Sequence, residues 1–402
     1  MRGHRYPALM LICFILFPAL LHAEERIVEV RFMGNFTIPD ETMMSMGGIV
    51  VGASASSDAM EDIRQRLLET RRFERVEVTR RYRSIGSGED VVLLITVREK
   101  QPVAHKFMFL PILSGSDEYG FSYGIRTTAK DLLGWGERLS VPATWGGIRQ
   151  AALEGEFGLN NPVAQTLTTR VGVSQKENPF YDTGDFRKEI RAAVTRRFDR
   201  FEIGAETGWT DVDFGSEQDD FAVFGANFVL DTRQDINLPR DAVYTGIGWK
   251  RLSFLRGRAG INVYTLDLRG YKGLFGQTVL AAQVFYSTAD APLPAFERPF
   301  LGGANTLRGW KPGSFIGDSI ATASLELRIP LSPLRTAYHT GIDFFVDTGA
   351  VYDHGRSLWD ARFRQGVGAG GYFLIAGFGI KVDVAYNMRD SFRVHFSTGF
   401  RF

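Results

Sequence analysis

The chain has 402 residues, 23% of them charged, with a formal net charge of +1. So even a balance gives no electrostatic reason to bind nucleic acid. The single cysteine, Cys13, excludes a disulfide framework, and glycine, 44 of 402 residues, exceeds the roughly 7% of an average protein.

The N-terminus has the pattern of a cleaved secretory signal over residues 1–23. Arg2 and Arg5 give a positive start, residues 6–21 are nearly all apolar, and Leu21-His22-Ala23 ends in a small residue before Glu24. A membrane-spanning anchor is the competing reading, but the run is short for a span of about 20 residues. Bulky Leu11 and Ile12 count against lipid attachment at Cys13. Cleavage would remove Cys13 and two positive charges, so that +1 − 2 = −1.

Residues 24–101 predict a small α/β domain in the order strand, helix, helix, strand, strand. Residues 26–32 alternate. Pro39-Asp40-Glu41 opens a short helix, and Ser57-Asp58 caps a second on which Met60, Ile63, Leu67 and Leu68 share a face. Residues 73–78 and 91–97 form two further strands joined by a turn at 84–88.

From 102 to 402 the pattern changes to segments of about ten alternating residues separated by polar turns. Ala323, Leu325, Leu327 and Ile329 oppose Thr322, Ser324, Glu326 and Arg328. Phe378, Ile380, Val382, Val384 and Tyr386 oppose Gly379, Lys381, Asp383 and Asn387. A soluble sandwich alternates as well. The export signal, about sixteen strands from near Val103 to Phe402, and the terminal aromatic favour a mainly β fold: a 16-stranded transmembrane antiparallel barrel after the α/β domain. An even count places both ends of the barrel on one side of the membrane. The N-terminal domain then lies in the periplasm, and the long segment 289–319 enters from outside.

That segment carries Leu307-Arg308-Gly309-Trp310, and the next two strands place Glu326 and Asp347 on their inward faces. A guanidinium fork suits bidentate pairing with carboxylates. On the residues alone, a loop pinned in the lumen by Arg308 competes with an exposed loop arginine above acids that merely line the lumen.

Three motifs in order carry a resemblance: Leu307-Arg308-Gly309-Trp310, Ser324-Leu325-Glu326-Leu327-Arg328-Ile329-Pro330 and Phe345-Val346-Asp347-Thr348-Gly349. They resemble the inward loop, the twelfth strand and the thirteenth strand of BamA/TamA-like outer-membrane assembly factors. The N-terminal unit resembles a POTRA domain, with Gly34-Asn35, the long second helix and Arg72-Phe73-Glu74-Arg75-Val76; Arg71 stands where many such domains have glycine. There is room for one POTRA copy, unlike the family's best-known assembly members. The resemblance implies a loop anchor of Arg308, Glu326 and Asp347 with the loop motif Leu307, Gly309 and Trp310.

The last strand, 392–402, presents Phe392, Val394, Phe396, Phe400 and Phe402 on the expected lipid face. Gly399 weakens or kinks its pairing. Pro111, expected near the end of the first barrel strand, lacks a ladder donor. These residues mark a weak lateral seam, with Val394 and Phe396 expected to face residues 107–109. Gly120-Phe121-Ser122-Tyr123-Gly124 and Gly366-Val367-Gly368-Ala369-Gly370-Gly371 imitate a hydrolase elbow and a dinucleotide loop. Neither has the required strand-turn-helix or βαβ setting. His105, His339, His354 and His395 are scattered, so no catalytic, metal or cofactor site is expected. The acidic turn with Asp211, Asp213, Glu217, Asp219 and Asp220 reads as a solvated loop. The expected role is insertion or translocation of unfolded outer-membrane or secreted clients in contact with outer-membrane lipids and periplasmic accessory proteins. Clients would be recruited by a POTRA strand edge, 73–81 or 26–32, and by the seam. The alternatives are a two-partner-secretion-type translocation pore and a passive diffusion channel.

Overall fold

A computed structural model describes residues 25–36, 38–70, 72–82, 90–99, 106–159, 161–332, 338–375 and 378–402. The expected signal, Arg71, the turn at 84–88 and Val103 lie outside them. The chain divides into two compact units, 1–105 and 106–402.

The first unit contains β1 (Arg26–Met33), α1 (Asp40–Gly47), α2 (Ser57–Glu69), β2 (Phe73–Tyr82) and β3 (Asp90–Glu99). β3 is central, parallel to β1 and antiparallel to β2. Its Val91, Leu93, Ile95 and Val97 alternate into a core with Met43, Ile63 and Leu67, while Met60 and Leu68 pack at its margin. The cap of α2 falls one residue earlier than expected: Ser56 Oγ accepts from Ala59 N at 3.2 Å. Gly34 turns with φ 87°, and a Cβ there would strike the Val97 carbonyl.

The second unit is a closed antiparallel barrel of sixteen strands. In chain order its wall starts with β4 (Phe107–Ser116), β5 (Gly120–Lys130), β6 (Arg138–Gly146), β7 (Arg149–Gly158) and β8 (Thr166–Asn178). It continues through β9 (Thr183–Phe198), β10 (Phe201–Phe214), β11 (Glu217–Asp231), β12 (Ala242–Phe254), β13 (Ile261–Gly273) and β14 (Val279–Ala289). A two-stranded ribbon of β15 (Phe300–Leu301) and β16 (Phe315–Ile316) lies within the loop that follows. The wall resumes with β17 (Ser319–Pro330), β18 (Tyr338–Tyr352), β19 (Arg364–Ile375), β20 (Phe378–Tyr386) and β21 (Phe392–Thr398). The first wall strand is described from Phe107.

Burial settles what alternation left open. On β5, Ser122 is 2% exposed between Phe121 at 53% and Tyr123 at 55%. Glu326, Asp343, Asp347 and Lys381 are buried, while Phe344, Val346, Val382 and Val384 face outward. Apolar outside and polar inside is the arrangement of a barrel in lipid. Across β5 to β9 the inner wall is a ladder in which Arg126 and Arg170 share Glu154, and Arg170 and Arg191 share Glu189. Ser122, in the elbow-like segment, sits within β5 and accepts from Ile148 N at 2.8 Å. Three of the five acidic-turn carboxylates are paired, Asp211 with Lys188, Asp219 with Arg258 and Asp220 with Arg256.

Candidate functional site: the inward loop and the barrel seam

The loop 290–318 runs across one mouth of the barrel. Near its start, Phe296 packs against Phe214 and Phe221, and Glu297 pairs with Arg187 of β9 at 2.6 Å. The β15–β16 ribbon then projects the tip toward β17–β20. At the tip Gly309 adopts φ 90°, a left-handed conformation natural to glycine, and so turns Arg308 down into the lumen.

Arg308 is 1% exposed. Its Nε and Nη2 grip Asp347 at 2.7 and 2.8 Å, a bidentate pairing. Its Nη1 reaches Glu326 at 2.7 Å and Asp383 at 3.2 Å. The guanidinium lies 3.4 Å from the Phe345 ring centroid, and Nη2 donates to Ser324 Oγ at 3.2 Å. The structure thus brings Arg308, Glu326 and Asp347 together. Sequence reasoning missed the rest of the cluster. Lys381 Nζ lies 2.9 Å from Asp343 and 3.2 Å from Glu326, Arg328 pairs with Glu326 at 2.8 Å, and Arg401 stands 3.7 Å from Asp347. The inward face of Lys381 and Asp383 was visible in the alternation, but their level in the wall was not.

The glycine run of β19 has a steric role. A Cβ at Gly366 would collide with the Arg308 carbonyl, and one at Gly370 with the Asp343 and Asp383 carboxylates. The loop motif is otherwise held by its neighbours. Leu307 is fully buried beside Leu301 and Ile320, and Trp310 Nε1 donates to the Gln365 carbonyl at 3.0 Å.

The seam between β21 and β4 is short. Its ladder is the single pair Ser397↔Ser116, whereas β10–β11 runs from Phe201↔Leu230 to Phe214↔Glu217. Three hydrogen bonds flank it: Asp117 N donates to the Phe396 carbonyl at 3.1 Å, Gly115 N donates to Thr398 Oγ1 at 3.0 Å, and Thr398 Oγ1 donates to the Gly115 carbonyl at 3.4 Å. This register puts Val394 and Phe396 beyond the end of β4, so they do not face residues 107–109. Pro111 stands mid-strand opposite Ile125, not near the strand end, in a stretch without a β21 partner. Phe392 and Val394 face outward as expected, and Phe396 lies over Gly115.

The terminal aromatics correct the expected lipid face. Gly399, with φ 80°, turns the chain inward after Thr398. Phe400 meets Tyr372 edge-on at 4.8 Å. Phe402 is buried with Ala242, Tyr271, Val279 and Ala281 on the far wall. Arg328 Nη2 donates to the Phe402 carbonyl at 2.8 Å, so the tail and the loop share one ionic cluster.

His395, which looks isolated in the sequence, joins seam and loop. Its Nε2 accepts from Gly309 N at 2.8 Å, which leaves the proton on Nδ1 to donate to the Asp117 carboxylate. Asp117 also accepts from Ala304 N at 2.9 Å, and neighbouring Glu118 accepts from Asn305 N at 2.9 Å. Burial raises the Glu118 carboxyl above its ordinary value, an effect the Asn305 amide opposes. The last strand, the first hairpin and the loop tip therefore meet at one point.

The Omp85 superfamily domain model matches residues 132–402. The chain belongs to the Omp85 superfamily. Among solved structures this Omp85 protein is similar to BamA from Haemophilus ducreyi lacking POTRA domains 1–3, at 15% identity over 93% of this chain and 84% of that one, with a TM-score of 0.64. It is also similar to CdiB from Escherichia coli, at 11% identity over 94% and 76% of the two chains, with a TM-score of 0.55. At these identities the likeness is one of fold. No curated protein sequence matches the chain. Superfamily membership carries an outer-membrane location and a part in protein insertion or translocation.

Proposed function

We propose that this Omp85 protein assists the insertion of unfolded outer-membrane proteins through the seam between β4 and β21. The observation that carries the reading is the single pair Ser397↔Ser116. Every other junction of the wall has a longer ladder, so this one is the least costly to part. Most of β4, including Pro111, then offers an unpaired edge to a client strand. Arg308, Glu326 and Asp347 hold the loop clear of that edge, and His395 ties its tip to the closed seam.

The first unit acts in this proposal as a POTRA domain in the periplasm. Of its two candidate edges, β2 is favoured. The outer side of β1 is partly occupied, since Ile27 N donates to the Ala53 carbonyl at 2.9 Å and Gly52 N to the Ile27 carbonyl at 2.7 Å. β2 lies at the other edge of the sheet.

The test is a covalent seam. Cys13 is the only cysteine, so a Ser116→Cys/Ser397→Cys pair in a Cys13-free mature chain can form one designed disulfide. Directly opposed antiparallel residues have Cα atoms about 4.5–5.5 Å apart, within disulfide reach. The oxidised protein should lose insertion of a barrel client and regain it on reduction. Full activity of the crosslinked form would eliminate the seam as the working surface. Secretion of one dedicated soluble chain, with no barrel insertion, would assign the protein to two-partner secretion instead.

A further inference from the structure

We infer that the rim above β19–β21 is a binding site for the phosphate-bearing headgroup of an outer-leaflet lipid. Arg362, Arg364 and Arg389 gather there from the turns 353–363 and 387–391 and the adjoining strand end, and Arg393 stands lower on β21, opposite Ala385. None of the four makes an ion pair among the described residues. Elsewhere on the same mouth several cations are matched: Arg256 with Asp220 at 2.7 Å, Arg258 with Asp219 at 3.4 Å and Lys188 with Asp211 at 2.9 Å. Of the acids in these two turns, Asp353 is paired with Arg298, Asp390 accepts from Asn387, and Asp360 is within salt-bridge distance of none of the four arginines.

The like charges are held together by the fold. The ladder pair Val367↔Tyr386, carried on toward the rim, brings Arg364 level with Arg389. Arg364 lies 3.5 Å from the Phe315 ring centroid and Arg389 5.4 Å from that of Trp310. Those two rings touch each other at 5.1 Å. Arg364 Nη1 donates to the Arg362 carbonyl at 3.0 Å, while its buried Nε has no hydrogen-bond partner. Stacked guanidinium groups with unused donors match phosphate oxygens in charge and geometry.

The flank of this cluster points to a lipid as the source of the phosphate. Phe363, Met388 and Phe392 continue the outward-facing rows of β19, β20 and β21 and are 48%, 52% and 73% exposed, beside Trp359 at 91%. An apolar band ending in aromatic residues is the profile of a membrane interface; Arg364, Arg389 and Arg393, each one residue on from Phe363, Met388 and Phe392, alternate to the other side of the wall and edge that band from the barrel mouth. The site adjoins β21, so a lipid held there would stand next to the seam.

Native mass spectrometry of the full mature chain in detergent tests the inference, with bisphosphorylated lipid A as probe. The wild type should retain lipid A. Dephosphorylated lipid A should be retained more weakly. An R362Q/R389Q/R393Q variant, checked for folding by heat-modifiable gel migration, should lose affinity by a factor on the order of tenfold to a hundredfold, since each arginine near an anionic headgroup layer contributes about fivefold. Equal retention of the dephosphorylated lipid by the wild type would overturn the site without recourse to any variant. So would equal retention by a folded triple variant. Inorganic phosphate bound with the same arginine dependence, or an acidic Asp/Glu peptide bound in place of lipid A, would assign the cluster to a free anion or a protein segment and end the lipid proposal. The leaflet rests on the orientation proposed above. Binding in micelles needs neither client insertion nor an intact seam, so its failure and theirs are read separately.

Discussion

At the scale of single residues, Arg308 is the centre of a closed charge balance. Four carboxylates, Glu326, Asp343, Asp347 and Asp383, face four cations, Arg308, Arg328, Lys381 and Arg401. Burying so many charges is not a net source of stability, but removing one partner strands the others, at about 3–5 kcal/mol for a buried pair. Arg308→Ala should therefore free the loop while the strand ladders survive. The readout is faster proteolysis within 290–318 at unchanged barrel migration in gels. Because Asp347 takes two of the guanidinium contacts, Arg308→Ala and Asp347→Ala should be non-additive, with a coupling of about 0.5–3 kcal/mol. Additive losses would mean that the two side chains do not interact in the membrane. Arg308, Glu326 and Asp347 were legible through the resemblance that their three motifs carry, since strand parity alone left an exposed loop arginine as an equal reading. His395 was not, because its partners Gly309 and Asp117 lie 86 and 278 residues away in the chain and only barrel closure brings them together.

At the scale of elements, the last strand competes with its own tail. The sequence shows uninterrupted alternation to Phe402, which reads as a full-length strand. Gly399 marked a weak point, but not that the chain would turn inward there. If residues 399–402 stayed in the wall, the register Ser397↔Ser116 would carry them along β4 as far as Pro111. Instead they trade those ladder pairs, about 0.2–1 kcal/mol each, for the burial of Phe402, about 1.5–3 kcal/mol. These two contributions are of similar size, so a small bias should shift the balance. Gly399→Thr imposes roughly 1–2 kcal/mol on the left-handed turn. That is a population change of about fivefold to thirtyfold. The same register sets Phe400 opposite Leu113 when the tail is in the wall. A Leu113→Cys/Phe400→Cys pair should then crosslink markedly better when combined with Gly399→Thr than in the chain that keeps Gly399. Equal yields in the two backgrounds would show that the tail does not exchange with the wall.

At the scale of the whole molecule, the number of strands and their inside-out faces determine more than any motif does. Sixteen strands were countable from the turns because each span is short and each turn polar, and the even count sets the topology. What could not be counted was the extent of each hydrogen-bonded edge. Edge length depends on strand shear and tail path, which no local pattern encodes, so the seam was placed between the right strands but in the wrong register. The even count also makes a prediction for the intact cell. β4 begins and β21 ends at one end of the barrel, and the loop 290–318 and the turn 353–363 lie at the other. With the first unit attached ahead of β4, the proposed orientation puts residues 25–99 in the periplasm and the unpaired arginines of 353–363 outside. Trypsin added to intact cells should cut only in the turns of that mouth, such as at Arg356 or Arg362, and leave 25–99 whole. After the outer membrane is permeabilised, the arginine-rich β2 should become a substrate as well. Two antibodies, one to the first unit and one to a tag in 353–363, follow both events in one experiment. Loss of the first unit in intact cells, with the 353–363 tag protected, would invert the molecule in the membrane. It would also place the loop and the arginine rim on the periplasmic side.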